Sequence, residues 1–219
     1  ANGDCLVFMD DDTILGHERV IENLIAPLER DEKIGMTGAS PMYPKDLPWL
    51  QGTFAQIRGG EFPIVKEIVD TDYAQHACCA LRKEVYEEVG WESEDLITGT
   101  DDDLRQRLHR AGYRVVIVPE TWVYRLIEAD FFGILRKSFK MGLGSAYACK
   151  VHPEIFGYPR VKLFNYQLKT ALGTLLYKLV ASAFRIPIYL LSLRPVHAIL
   201  GAFWTSGFLY GWLKFPSRR

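Results

Sequence analysis

Three acids stand in a row at Asp10-Asp11-Asp12, directly after the short apolar run Cys5-Leu-Val-Phe-Met9. Carboxylates two positions apart just beyond a strand can share one hard cation. Mg²⁺ or Mn²⁺ is commonly held by one or two carboxylates, with substrate phosphates completing the shell. Such a cation neutralises the charge that a diphosphate leaving group develops. The competing reading is a turn in which an Asp caps the next helix, but three adjacent acids repel one another and capping needs only one. A second acidic group is Thr100-Asp101-Asp102-Asp103. Thr100 with Asp103 resembles a capping box, and acids favour a helix N-terminus. Alternatively, one of these acids faces a cleft as general base for a hydroxyl. Spacing alone does not separate the two.

The elements needed to position these acids are legible in outline. The run 5–9 reads as a buried strand, expected in a parallel sheet, with its acids at the end where open α/β sheets place ligand sites. Apolar positions 20, 21, 24, 25 and 28 have helical spacing over 17–30, and Pro27 is expected to kink or end that helix. Ile34-Gly-Met-Thr-Gly38 is a short strand. Residues 41–62 hold three Pro and three Gly and read as a long loop. A strand is expected over 73–81, a short helix over 83–89 closed by Gly90, and a helix after Thr98-Gly-Thr closed by Gly112. Arg114-Val-Val-Ile-Val118 reads as a strand stopped by Pro119. His17 and His76 read as ordinary surface or strand histidines.

Of the 27 acids, 26 lie in residues 1–130 with 13 of the 26 bases; the last acid, Glu154, shares 131–219 with the other 13 bases. An acidic globular part therefore precedes a basic, aliphatic tail. The bases are interleaved with apolar runs, which favours an anionic membrane surface over nucleic acid. Residues 131–150 read as a basic amphipathic, interfacial helix. Residues 171–193 and 195–213 are each long enough to cross a bilayer. Lys178 and Arg185 count against a deep first span, since a central charge costs roughly 2.5–3.5 kcal/mol, so an in-plane hairpin competes. Trp204, Tyr210 and Trp212 suit an interfacial belt. The expected division is 1–130 catalytic, 131–165 connecting, and 166–219 a membrane-associated hairpin. Cys5, Cys78, Cys79 and Cys149 lack metal-ligand spacing and read as reduced thiols of a cytoplasm-facing protein.

In this order and spacing, three segments resemble the family 2 inverting glycosyltransferases of the GT-A fold. They are Asp10-Asp11-Asp12 with the helix and strand that follow, Ala80 through Gly90-Trp91, and Gly99-Thr-Asp-Asp-Asp-Leu104 continuing to Ala111-Gly-Tyr-Arg-Val-Val-Ile-Val-Pro119. The resemblance covers roughly residues 1–145. It implies an α/β fold, a partial Rossmann-like mixed sheet with flanking helices, followed by apolar C-terminal helices. It implies transfer of a sugar from a nucleotide-diphosphate sugar to a hydroxyl of a glycan or lipid-linked acceptor, with Mg²⁺ or Mn²⁺ as cofactor. Carried over by residue, Asp10 and Asp12 hold the metal, Asp10, Asp11 and Asp12 meet the nucleotide sugar, and Asp101 is the base. Asp102, Asp103 and Thr100 support Asp101, and Trp91 and Trp49 are offered to the acceptor. The family's usual Glu is Thr100 here. A His often found after the following strand is Arg125, which speaks against a diphosphate or second-metal role there. Strands that precede the metal motif in the family are not in this sequence, so weak donor binding is expected. No Gln-x-x-Arg-Trp motif occurs, the nearest stretch being Leu135-Arg-Lys-Ser-Phe139, which argues against a processive synthase.

Two other readings compete. Asp10 and Asp12 also suit a haloacid dehalogenase-type phosphatase with Asp10 as nucleophile, although Thr13 and Ile14 break that motif. A membrane-bound, non-catalytic scaffold is the other.

Overall fold

The computed structural model describes residues 2–59, 61–127, 130–156, 171–192 and 194–216. The chain forms two compact units: Ala1–Ser93 with Thr100–Ile127, and Glu94–Gly99 with Glu128–Arg219.

The first unit is a mixed sheet between helices. In chain order it runs β1 (Cys5–Met9), β2 (Thr13–Leu15), α1 (Val20–Arg30), β3 (Ile34–Met42), α2 (Trp49–Arg58), β4 (Val69–Asp70), β5 (Cys78–Arg82), α3 (Lys83–Glu88), α4 (Thr100–Arg110) and β6 (Arg114–Arg125). The sheet order is β1-β5-β3-β6-β2, with β4 paired to β6. Only β3 and β6 run parallel. One face buries Val20, Leu24 and Leu28 of α1 against Cys78, Ala80 and Val116. The other buries Leu104 and Leu108 of α4 and Val85 of α3 against Cys79, Leu81 and Val115. The adjacent cysteines thus serve opposite faces, as strand alternation requires, and all four cysteines are free thiols.

Several expectations need correction. β1 is not a buried parallel strand: it pairs antiparallel with β5 alone among the described residues, and Val7 and Met9 are exposed. An edge strand with one neighbour leaves alternate side chains in solvent even when all are apolar. Pro27 neither ends nor breaks α1, which continues to Arg30. The presumed loop 41–62 contains α2, whose Phe54 and Ala55 are buried; the anchoring of one apolar side outweighs its poor helix composition. Strand β5 starts at Cys78 rather than at 73. Pro119 does not stop β6. The register against β3 jumps from Gly38↔Ile117 to Ser40↔Trp122, and Glu120 takes φ +49° in the resulting bulge. Because Pro lacks an N–H, the bulge absorbs it, and the strand resumes to Arg125.

The second unit is helical: α5 (Phe131–Val151), α6 (Pro153–Phe156), α7 (Ala171–Leu191) and α8 (Pro195–Lys214). Asp130 caps α5, accepting from the N–H groups of Phe132 at 3.1 Å and Gly133 at 2.7 Å. α5 spends its small residues on α8. A Cβ on Gly142 would lie 1.9 Å from the Trp204 carbonyl oxygen, and one on Gly207 would lie 2.0 Å from that of Phe139. Ser138 Oγ donates to Leu200 O at 2.9 Å, and Lys150 Nζ donates to Trp212 O and Phe215 O. The charge-free run 195–213 is therefore largely a packing helix. Among the described residues one helix, Leu172–Leu191, is long and apolar enough to cross a membrane. Lys178 does not sit free on it: its Nζ lies over the Trp204 ring, 4.8 Å from the centroid.

Gly142→Ala should force α5 and α8 apart, lowering stability by about 1–3 kcal/mol. Thermal unfolding followed by circular dichroism checks this, and an unchanged midpoint would contradict the close helix contact.

Candidate active site

A cleft of about 300 Å³ is lined by Phe8, Met9, Asp10, His76, Glu92 and Thr100. Four separate segments meet there: the end of β1, the loop 71–77, the turn after α3, and the first residue of α4.

The acids of β1 leave the strand in a tight turn, closed by Thr13 N–H donating to Asp10 O at 3.2 Å. β2 then pairs with the end of β6, where Thr13 faces Arg125, and Leu126 N–H donates to Asp12 O at 2.7 Å. Asp10 and Asp12 are half-buried while Asp11 is exposed. Burial raises the Asp10 carboxyl above the usual carboxylate range; the Asp12 and Asp101 charges add to this, and Arg125 and His76 oppose it. Mutually repelling carboxylates are a donor set that a divalent cation relieves. No three His, Cys, Asp or Glu side chains among the described residues are placed to hold an ion by themselves. An ion on Asp10 and Asp12 would therefore draw the rest of its coordination from a ligand or water, and the residues present fit that arrangement.

The second triplet divides its labour. Asp101 faces loop 71–77: its Oδ1 accepts from the His76 backbone N–H at 2.9 Å and lies 2.8 Å from His76 Nδ1. Asp102 pairs with Arg105 on its own helix, and the Arg105 guanidinium also donates to Ala74 O. Asp103, buried, accepts from Arg107 Nε at 2.9 Å, and Arg107 also donates to Val89 O. Two arginines of α4, each steadied by an acid of the triplet, thus clamp the two segments that carry His76 and Glu92. Loop 71–77 is further pressed onto β3, where a Cβ on Gly38 would lie 2.7 Å from Ala74 Cβ. The triplet lies in the first turn of α4; Thr100 lines the cleft, and Asp101 reaches it through His76.

His76 is the site residue that sequence reasoning underweighted. Its ring sits between Asp101 and Glu92, with Nε2 3.1 Å from Glu92 Oε1 in an approach that is not aligned as a hydrogen bond. Burial alone would lower its pKa, but the hydrogen bond to Asp101 and the two carboxylate charges push it up to about 10. Asp101 is likewise disfavoured as an anion by burial, yet its bonds to His76 hold its pKa below the ordinary value. In sequence His76 lies within the strand expected over 73–81, 25 residues from its partner, and gave no sign of that partner. Glu92 gave none, being one acid among Glu87, Glu88, Glu92, Glu94 and Asp95.

The remaining residues sort plainly. His17 is a structural tie, with Nε2 3.0 Å from Glu120 O and Nδ1 accepting from Arg19 N–H at 3.2 Å. Trp91 precedes Glu92 in left-handed backbone at φ +51°, edge-on to the Tyr86 ring. Such a conformation costs about 1–2 kcal/mol for a bulky residue, and it aims Glu92 at the cleft. Trp49 opens α2 and is 73% exposed. Neither tryptophan lines the cleft itself.

The mixed sheet with its flanking helices is of the GT-A-like class. The family model described as "Glycosyltransferase like family 2" matches residues 1–142, and the chain belongs to that family. The phosphatase reading falls with it. The O-antigen biosynthesis protein RfbC of Myxococcus xanthus is 27% identical over 146 residues, covering 59% of this chain and 11% of that protein. The fold is similar to that of mannosyltransferase PcManGT from Pyrobaculum calidifontis, solved in complex with GDP-Man and Mn²⁺. The TM-score is 0.56 at 16% identity, over 98% of this chain and 64% of that one. The chain thus spans about a tenth of the curated relative and under two thirds of the solved one.

A raised folded pKa means that His76 stabilises the fold fully below its unfolded value of 6.5, and that this contribution is lost as pH rises towards about 10. The wild-type melting temperature should fall across that window, and His76→Gln should flatten that fall. NMR titration of the His76 ring near pH 6.5 would contradict the arrangement.

Proposed function

We propose that this chain carries the acceptor-activating half of an inverting sugar transfer from a nucleotide-diphosphate sugar to a hydroxyl. The observation that supports it most is Asp101, held ionised by His76, with its charge acting on Asp10 at the same cleft. In this reading the acceptor hydroxyl gives its proton to the Asp101 carboxylate. Its oxygen attacks the anomeric carbon from the side opposite the diphosphate. The bond from that carbon to the diphosphate oxygen breaks, and configuration inverts. As Asp101 becomes neutral, the His76 imidazolium keeps a counter-charge in Glu92, so no buried cation is stranded. Mg²⁺ or Mn²⁺ held by Asp10 and Asp12 would neutralise charge on the departing diphosphate. Asp11, exposed in the same turn, suits a solvent-side contact with the nucleotide sugar, and Trp91 and Trp49 suit the acceptor. Thr100, Asp102 and Asp103 are positioning residues.

GDP-mannose is the first donor to test, since the similar transferase was solved in complex with it, and a glycan or lipid-linked acceptor is the class to test with it, given the O-antigen relative. Asp101→Asn is expected to cut transfer by about 10²–10⁴-fold while donor affinity stays within a few-fold. Transfer that survives this change would remove Asp101 from the role of base. Absence of transfer from wild type with every donor would favour the non-catalytic scaffold.

We also propose that the second unit attaches to a membrane, with the catalytic part facing the cytoplasm and the division falling at 1–130, 131–165 and 166–219. Support comes from α7, whose Leu172, Leu176, Val180, Phe184, Ile188 and Leu191 are exposed at near-helical spacing. The surplus of bases over 131–219 adds attraction to anionic lipid. Phe184→Glu should reduce co-flotation with anionic vesicles several-fold, even in high salt. A variant that floats as well as wild type would count against insertion of α7.

A further inference from the structure

Arg125 ends β6 and is 7% exposed. Its Nη1 donates to Gln75 Oε1 at 3.2 Å, whereas its Nε is buried with no hydrogen-bond partner among the described residues. Arg58 ends α2, and its Nη1 is likewise buried and unpartnered. The backbone brings them together. Met42 of β3 pairs with Tyr124 of β6, which sets Tyr43 beside Arg125. The Tyr43 hydroxyl donates to Gly59 O at 3.0 Å, which fixes the end of α2 over the same strand ends. Burial, and then the nearby Arg125 guanidinium, disfavour the charge on Arg58, while Tyr43, Asp12 and Asp10 oppose this. Neither has an ion pair within 4 Å among the described residues. Buried cations of like sign with free donors are costly unless an anion meets them. The planar fork of arginine matches phosphate oxygens in a bidentate way.

We propose that Arg58 and Arg125 form a phosphate-binding pair beside Asp10 and Asp12, so that the acids hold a cation while the arginines hold the anion it accompanies. The assignment of that phosphate to a sugar-transfer substrate rests on the function proposed above; the binding itself does not. The phosphate belongs either to the donor's diphosphate or to a phosphorylated acceptor.

Inorganic pyrophosphate, added to the full chain in EDTA, tests this by calorimetry and thermal unfolding. Wild type is expected to bind and to melt at a higher temperature with pyrophosphate. Arg58→Gln and Arg125→Gln are expected to weaken binding by about 10-fold or more, as for loss of a charge-assisted hydrogen bond. In phosphate-free buffer neither variant should melt below wild type, because each removes one of two neighbouring guanidiniums that have unpartnered buried donors; a lower midpoint for both would mark the arginines as structural and overturn the proposal. Arg125→Lys, which keeps the charge and loses the fork, guards against a folding defect and should also bind several-fold more weakly. Competition by GDP-mannose assigns the site to the donor, and its failure to compete assigns the site to an acceptor phosphate. No binding by wild type, or equal binding by the double variant, overturns the pair. Intact pyrophosphate binding without any sugar transfer would count against the transferase reading alone.

Discussion

A buried imidazolium between two carboxylates organises this site. His76 can stay charged in a half-buried cleft only because Asp101 and Glu92 flank it, and those acids can approach each other only because His76 lies between them. Ala74, Leu104 and Leu108 anchor loop 71–77 and α4 in the apolar core. The charge cluster and the two arginine clamps of α4 fix the polar ends of these segments. Remove the cation and two acids face each other; remove one acid and a buried cation loses half its compensation.

The same logic runs through the sheet. β3 and β6 form its centre, and their far ends deliver Tyr43 and Arg125 to the side of the cleft where Asp10 and Asp12 turn away from β1 and β2. The bulge at Pro119–Glu120 matters for this reason. Without it β6 would end at Val118, and Arg125 would not lie opposite Thr13. Acids therefore approach from the turn between β1 and β2, Arg125 from the end of β6 and Arg58 from the end of α2. That polarity suits a metal-bound phosphate better than a neutral ligand.

The helical unit obeys a different constraint. α5 and α8 approach so closely that glycines are required at Gly142 and Gly207; α8 buries Leu200 and Phe208, while Phe203 and Leu213 stay exposed. α7 has no comparable partner among the described residues, so its apolar stripe stays exposed. Two stretches of similar composition thus end in different environments, because one carries the small residues that permit a close helix partner.

Much of the fold class could be read from local pattern. Alternation of apolar runs with helical spacing marked β1, α1, β3, α4 and the start of β6, and the two acid triplets stood out by residue type alone. Local signals depend on neighbours in sequence, and these elements are bounded by such signals. What composition could not show was α2, hidden among prolines and glycines, or the passage of β6 beyond Pro119, because both rest on packing against residues far along the chain. Asp101 was legible as a candidate; its partners were not. His76 and Glu92 are ordinary polar residues in sequence, and only tertiary structure brings them to one cleft, since burial and mutual charge exist only once the chain has folded.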